Sequence, residues 1–344
     1  MTRVVIAGAS GFIGRHLVAR YRAAGIDVRT IGRGTSADAS WGDPEAIADI
    51  VDGCDVLVNL AGRNVNCRYT PSNRAEIISS RIETTAALRA AVASAAAPPR
   101  VWFNSSTATI YRHAEDHPMT ERDGELGSGF SVEVAKAWEA EFFAGALPST
   151  RRVALRIAIV LGDGSAMRPL ARLARFGLGG PQLDGRWPAT RARRAAGTQH
   201  EFGARGGRQR FSWVHIDDVT GIIDFLAARP DLDGVVNVSA PNPSDNRTLM
   251  RTIRRLLGVP FGMPAWRWML EPGTAVIRTE TELVLKSRWV VPERLLEAGY
   301  EFEYPDLEGA LCSILRPETV PATADRTPAQ PDRRGRLPMG ERFR

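Results

Sequence analysis

The chain has 344 residues, 44% of them hydrophobic and 24% charged, which suits one large globular domain or two small ones and buries a core with ease. No apolar run approaches the roughly 18 residues of a membrane span, and the brief, glycine-rich apolar start does not have the form of a signal peptide. The formal net charge is +6, and the stretch from Arg186 to Arg210, with seven arginines against the single acid Glu201, accounts for all of it, so the basic balance describes a segment rather than a surface for nucleic acid.

In chain order, residues 4–7 read as a strand and 12–24 as a helix, 27–31 as a strand and 44–51 as a short helix. Residues 56–60 form a fully apolar strand, and a long alanine-rich helix follows at 73–96, before Pro98. Strands at 101–104 and 153–160 flank a helix at 131–143. After Leu161 the rhythm changes. A helical stretch leads to "GLGG" (177–180) and the arginine-rich segment, followed by a strand at 211–215, a helix at 217–228 and a strand at 235–238. Helical signals recur near 247–257, 280–285 and 306–315.

Strands without polar alternation are buried on both faces. Repeated strand–helix units of this kind imply an α/β fold, a Rossmann-like doubly wound parallel sheet with a smaller C-terminal α/β substrate region. The first domain covers 1–165, with 211–240 returning to it. The C-terminal region covers 166–210 and 241–316. Within it, the insert at 186–207 reads as a solvated loop whose removal costs little stability, because long surface loops close at small entropic cost. Residues 317–344, rich in Pro, Arg, Thr and Asp, read as a disordered tail.

"VVIAGASGFIG" (4–14) carries the first chemistry. Gly8 permits a tight exit from the strand, Gly11 lets backbone approach a pyrophosphate, and Gly14 lets the helix pack close to the sheet. The N-terminus of that helix favours phosphate charge. A glycine triplet alone is weak, but here it follows a strand, opens a helix and starts a strand–helix series, which is the context of a dinucleotide site. Ser10, Phe12 and Ile13 belong to the same turn. The second strand ends in "RTIGRGTS" without an acid, whereas an acid there would bond the 2′-hydroxyl of NAD. Arg33, with Thr35 and Ser36 nearby, favours the 2′-phosphate of NADP over NAD; the alternative is a solvated loop arginine.

With these residues in place the chain resembles the extended short-chain dehydrogenase/reductases. "GASGFIG" (8–14 with Ala7 preceding) matches their cofactor turn. "NLAG" (Asn59–Gly62), with Leu60, Ala61 and Gly62, resembles the segment beside the adenine ribose. "SSTATIY" (Ser105–Tyr111) resembles the strand end that carries their catalytic Ser or Thr, here Thr107, with Ser105 facing the cofactor. A closer likeness is to an atypical, epimerase-like bacterial branch related to the NAD-dependent epimerases and dehydratases. Its marks are "SRIETT" (80–85), "WE" (138–139), "GLGG", "RQRFSWVHIDD" (208–218) and the C-terminal "VVPERLLEAGYEFEYPDLEGAL" (290–311). Two departures stand out: the arginine-rich insert, and Arg63 where many relatives carry an acid.

The resemblance implies a Tyr that exchanges the hydroxyl proton and a Lys four residues later that lowers its pKa. In "GFSVEVAKAWE" those positions hold Phe130 and Val134, and Lys136 projects from another part of the helix. Tyr111, just past the Thr107 strand end, is then the first candidate donor, the alternative being an aromatic packed under the substrate loop. Glu139 suits a structural hydrogen bond. His113 and His117 have metal-like spacing beside Pro118, but no metal site is expected. Asp217 or Asp218 is expected to cap the helix after His215.

Three readings follow. The first is an NADP-dependent oxidoreductase or epimerase with a non-standard donor, acting on a small molecule such as a sugar or nucleotide derivative. The second is an NADP(H)-binding regulator without turnover. The third is nucleic-acid binding through the insert, with Trp187 and Phe202 for stacking and Arg for phosphates, the alternative being a solvated, disordered loop. Cys54, Cys67 and Cys312 are odd in number and widely spaced, which argues against a disulfide framework and for a reducing, cytoplasmic location.

Overall fold

A computed structural model describes residues 2–164, 167–200, 203–276, 280–281 and 285–317. The expected tail at 317–344 therefore lies outside the described residues, apart from its first member, as do Glu201 and Phe202 of the insert and residues 282–284 of the helix expected at 280–285.

The first half runs β1 (Arg3–Ala7), α1 (Phe12–Ala23), β2 (Asp27–Gly32), β3 (Ala39–Ser40), α2 (Pro44–Val51), β4 (Val56–Asn59), α3 (Pro71–Ser94), β5 (Val101–Thr107), α4 (Phe130–Phe143) and β6 (Arg151–Ile157). The second half runs β7 (Ile159–Leu161), α5 (Met167–Arg175), β8 (Gln182–Leu183), α6 (Arg191–Ala195), β9 (Arg210–Phe211), β10 (Trp213–His215), α7 (Ile216–Ala228), β11 (Gly234–Val238), β12 (Ser244–Asp245), α8 (Asn246–Leu256), β13 (Ala265–Trp266), α9 (Arg267–Val276), α10 (Glu293–Glu297) and α11 (Leu307–Leu315). Among the described residues no helix is long and apolar enough to cross a membrane.

Seven strands form one sheet in the order β11-β6-β5-β4-β1-β2-β3. Every pair in it is parallel. Alternate strand residues serve opposite faces. Val4, Ile6, Val58 and Phe103 pack with Leu17 and Tyr21 of α1 and Ile222 and Leu226 of α7. Val5, Leu57 and Trp102 pack with Ile47 of α2, Leu88 of α3 and Phe142 of α4. Strand order reverses between β1 and β4, and the crevice at their carboxyl ends is where such sheets bind ligands.

Local chemistry explains several boundaries. Asp43 caps α2 by accepting from Ala46 N at 3.0 Å, with Pro44 at its first position. Thr70 caps α3, and Pro71 opens it. That pair starts α3 two residues before the alanine-rich pattern does. The cap of α7 corrects the expectation for Asp217 or Asp218: His215 Nδ1 accepts from Asp217 N at 3.3 Å. Asp218 instead accepts from Glu303 N and Tyr304 N.

Two expected strands are broken. The segment at 153–160 splits at Ala158, whose N–H donates to the Val238 carbonyl while Ile159 N donates to Ser212. The segment at 211–215 splits at Ser212, whose N donates to the Arg288 carbonyl and whose Oγ accepts from Val290 N at 2.8 Å. The ladder partners leave the main sheet there, and β7 pairs with β10 instead. This second layer carries the C-terminal region, where Leu249 and Ile253 of α8 pack with Leu307 and Leu311 of α11 and with Trp213.

The insert is not a solvated loop. Asp184, its side chain fully buried, bonds His200 Nε2 at 2.9 Å and pairs with Arg267 Nη1 at 3.1 Å. Arg267 grips Glu271 through Nη2 at 2.6 Å. Arg193 reaches Glu271 at 3.1 Å and Glu280 at 3.4 Å. Burial raises Asp184, but hydrogen bonds from His200, Gly203 and Gly185 bring its pKa below the usual carboxylate range. Finally, the Gly197 carbonyl accepts from Phe130 N at 3.0 Å, which docks the insert on the start of α4. The expectation of a cheap deletion fails because buried charges on both sides would lose their partners.

Candidate functional site

Three strand ends meet at the glycine turn. Gly8 N donates to the Ile31 carbonyl at 3.0 Å, and Leu60 N donates to the Ala7 carbonyl at 2.9 Å. Gly8 has φ +82°, and a Cβ on it would lie 2.7 Å from the Leu60 carbonyl carbon. A Cβ on Gly14 would strike the Gly8 carbonyl and lie 2.8 Å from Ala9 Cα, so Gly14 makes room for the turn itself rather than for the sheet. Gly11 is different. Its Cβ would meet only the Gly8 carbonyl, at 3.3 Å. Gly11 is the N-cap of α1 and offers no side-chain cap, which leaves the first-turn N–H groups for an anion. Ser10 is exposed, and its carbonyl accepts from Arg15 Nη1; Phe12 and Ile13 are half-buried behind it. These residues fit a dinucleotide diphosphate: the turn is bare backbone, and the positive helix end carries no side-chain cap.

Arg33 stands exposed just past β2. The nearest acid in the chain, Asp38, is already engaged by Thr30, whose N and Oγ1 donate to it at 2.8 and 2.7 Å. Among the described residues, therefore, no carboxylate takes the place of a 2′-hydroxyl acceptor at the strand end, and Arg33 brings a positive charge there.

A cavity of about 200 Å³ opens beside the carboxyl ends of β4 and β5. Leu60, Ala61, Gly62, Ser105 and Thr107 line it, together with Phe130 and Val134. The sequence separated these residues by as much as half the domain; the sheet brings them to one wall. Thr107 Oγ1 accepts from Thr109 N at 3.1 Å, which leaves its own proton to donate. Behind the wall, Asn59 is fully buried; its Nδ2 donates to Asn104 Oδ1 at 2.7 Å and its Oδ1 accepts from Ala61 N at 3.0 Å, which fixes the NLAG segment. Phe130 and Val134, from the first turns of α4, line the same cavity with apolar side chains. Lys136 points elsewhere, to the Gly127 carbonyl and Glu133.

Tyr111 does not line this cavity. It is 1% exposed, its hydroxyl donates to Asn237 Oδ1 at 2.9 Å, and Arg156 Nη1 donates to the same hydroxyl at 2.9 Å. Burial pushes its pKa up, with Arg156 pulling the other way. Arg156 is also held by Glu139 through two bonds of 2.9 and 2.8 Å, and Glu139 accepts from Ser106 Oγ at 2.6 Å. The expectation that Tyr111 reaches a reacting oxygen does not fit this geometry, because its phenol is spent in a buried polar network. Glu139 has the structural bonds expected of it. His117 pairs with Asp116 and Glu125, and His113 Nδ1 accepts from Ser287 N.

Two cavity residues escaped sequence reasoning. Tyr69 lies 8% exposed, with its ring edge-on to Phe130 at 4.9 Å between centroids. Arg81 lies over the Trp138 ring at 4.9 Å and donates through Nη1 to the Ile77 and Arg63 carbonyls. Arg81 stands inside the quoted "SRIETT" motif and Tyr69 directly before the α3 cap, but neither position signals a cavity until the loop folds back.

A second, larger hollow of about 590 Å³ adjoins the first. Gly129 lines it where the next residue, Phe130, lines the smaller one. Arg112, Arg194 and Lys286 bring positive charge to its wall, with His113 and His200. Arg112 is already paired with Asp116 and Glu125, whereas Arg194, from the insert, is exposed.

Residues 4–137 match the NAD dependent epimerase/dehydratase family, and residues 267–314 match a domain of unknown function, DUF1731. The bovine epimerase family protein SDR39U1 is 32% identical over 331 residues, covering 91% of this chain and 99% of that protein. The Bacillus subtilis epimerase family protein YfhF is 25% identical over 320 residues, covering 91% of this chain and 97% of that one. The crystal structure of human SDR39U1 (isoform 2) with NADPH superposes with a TM-score of 0.78 at 29% identity, covering 92% of this chain and 100% of that chain. A nucleoside-diphosphate sugar epimerase from Corynebacterium glutamicum superposes with a TM-score of 0.68 at 25% identity, over 91% of this chain and 58% of that one. The glycine turn, the parallel sheet and the C-terminal segment agree with these matches, and the chain belongs to the SDR39U1-like epimerase family of Rossmann-fold proteins, with its DUF1731 C-terminal domain.

Proposed function

We propose that this chain binds NADP(H) across the carboxyl edge of the sheet and uses it as an oxidoreductase or epimerase on a small anionic substrate, a sugar or nucleotide derivative. The single observation that carries the reading is the 200 Å³ cavity, which joins Leu60–Gly62 to Ser105 and Thr107 beside the bare turn. The turn at Gly8–Gly14 would hold the diphosphate, Arg33 the 2′-phosphate, and Leu60, Ala61 and Gly62 the adenosine side. The NADPH in the human relative's structure supports the same choice of dinucleotide. When bound, the nicotinamide supplies or removes a hydride. Thr107 then orients the substrate oxygen through its free proton, and Ser105 borders the ring site.

The basic hollow supports the substrate class. Its volume suits a drug-sized or nucleotide-sized ligand, and Arg194 and Lys286 would meet an anionic group there. Three cysteines, odd in number and widely spaced, support a reducing, cytoplasmic setting. The second reading, a regulator that binds NADP(H) without turnover, draws on Phe130 and Val134, which can neither give a proton nor carry a charge.

Fluorescence titration of NADPH and NADH tests the cofactor, and NADPH oxidation against sugars, nucleotide sugars, quinones and aldehydes tests the chemistry. The enzyme reading expects tighter binding of NADPH and oxidation with an anionic member of that panel. Equal affinities would sink the NADP choice. Tight binding with no oxidation across the whole panel would favour the regulator.

A further inference from the structure

The cavity retains a phenol and a cation even though α4 supplies neither. Tyr69 comes from the loop between β4 and α3, and its ring packs edge-on against Phe130 at 4.9 Å. Its hydroxyl lies 3.4 Å from Ser131 Oγ, at the start of α4. Arg81 comes from α3 and lines the same cavity, as does Thr107. We infer that Tyr69 and Arg81 replace the missing Tyr-x-x-x-Lys pair, so that the proton of the substrate oxygen is exchanged at Tyr69 Oη and the charge that favours this exchange stands on Arg81. This rests on the NADP-dependent reading above and names the groups that would complete its chemistry.

Geometry and electrostatics support the pair independently. Burial pushes Arg81 down to about 10, and the one ionisable group that opposes this is Tyr69. Such coupling is reciprocal: a guanidinium that gains from a nearby phenolate also stabilises that phenolate. Other charges also lie near Tyr69. Arg74 lies 5.8 Å over the Phe130 ring. Glu280 accepts from Tyr69 N at 2.9 Å and is shared with Arg68 at 3.5 Å and Arg193 at 3.4 Å. Arg193 belongs to the insert, and the insert's Gly197 carbonyl accepts from Phe130 N. The insert therefore braces two packed rings, Tyr69 through Glu280 and Phe130 through the start of α4. Glu280 acts as a positioning residue, 2% exposed and bonded to the backbone of Tyr69 rather than to its phenol.

The step balances simply. In the reducing direction a carbonyl carbon receives a hydride from a reduced nicotinamide dinucleotide, and its oxygen receives the Tyr69 proton while held by Thr107. The phenolate left beside Arg81 is reprotonated from water. Oxidation runs the same transfers in reverse.

The test needs no known substrate for its first arm. The chain has five tyrosines. Burial raises Tyr21, Tyr111, Tyr300 and Tyr304. Absorbance titration at the tyrosinate band should resolve a phase that belongs to Tyr69 and depends on the charge of Arg81. Tyr69→Phe should remove that phase. Arg81→Met should move it up by about one unit or more, and Arg81→Lys should restore it. A curve like the parent's in Tyr69→Phe or in Arg81→Met overturns the proposal. In the second arm, on any substrate the panel yields, Tyr69→Phe should lower kcat by about 10²–10⁴-fold and leave the Kd for NADPH within about twofold. Full turnover in Tyr69→Phe also overturns it. Failure of the unaltered protein to bind NADPH would instead remove the functional reading, while the titration still decides whether Tyr69 is coupled to Arg81.

Discussion

The turn after β1 and the insert between β8 and β9 hold their shapes by opposite means. The turn is held by backbone: Gly8, Gly11 and Gly14 leave no side chains where Leu60, the Gly8 carbonyl and Ala9 must come close. The insert is held by side-chain charge: Arg193 meets Glu271 and Glu280, which lie 78 and 87 residues away in sequence. The first constraint is steric and local, so a few residues declare it. The second is electrostatic and distant, so the same arginines could as well have faced solvent. An arginine-rich stretch reveals what it does only through the acids that fold against it.

The sharpest way to break this comparison is to remove a partner of the insert. Glu271→Ala leaves Arg267 and Arg193 short of a buried carboxylate, and should cost about 3–5 kcal/mol in chemical denaturation. An unchanged midpoint would return the insert to solvent. Next comes the turn. Gly11→Val should keep the fold, since a Cβ there meets one carbonyl at 3.3 Å, yet weaken NADPH by about a hundredfold or more, or ~3 kcal/mol. Calorimetric titration that finds affinity retained would put the dinucleotide elsewhere. Arg33→Ala should reduce the preference for NADPH over NADH by about 1.5–3 kcal/mol, as read from paired fluorescence titrations; a constant preference would leave Arg33 a surface residue.

The smallest expected effect is a shared pH response. His16, whose Nε2 lies 2.9 Å from Asp217 Oδ1, and the neighbouring His215 hold Asp217 well below the usual carboxylate range. Asp184 in the insert's anchor is held low by His200, against its burial. A folded pKa below the unfolded value gives stability that is present above about 3.9 and lost as pH falls through the folded value. Asp217→Asn should therefore lower the denaturation midpoint near neutrality and approach the unaltered protein under strongly acid conditions. A deficit that stays constant with pH would assign the loss to packing rather than to charge.

Much of the sheet was legible because each signal was short-range. The apolar runs at 4–7 and 56–58 had to be buried on both faces, and they are. The glycine turn was legible for the same reason. Boundaries moved where a cap decided them, as Thr70 and Pro71 did for α3. The broken strands were not legible, because Ala158 and Ser212 leave the ladder to satisfy Val238, Arg288 and Val290. Tyr111 was chosen for its nearness in sequence to Thr107, and the short turn after β5 carries it away into the bonds of Asn237 and Arg156.

By itself, then, the sequence determined the parallel sheet, the glycine turn, the absence of a Tyr-Lys pair from α4 and the charge of Arg33, since each depends on residues within one or two turns of chain. Only the tertiary structure decided that the insert is an internal brace, that Tyr111 is structural, and that Tyr69 and Arg81 share a cavity with Thr107. Those facts depend on which buried charges and rings meet across the fold. Desolvation makes such groups find partners, but nothing in their spacing along the chain says which.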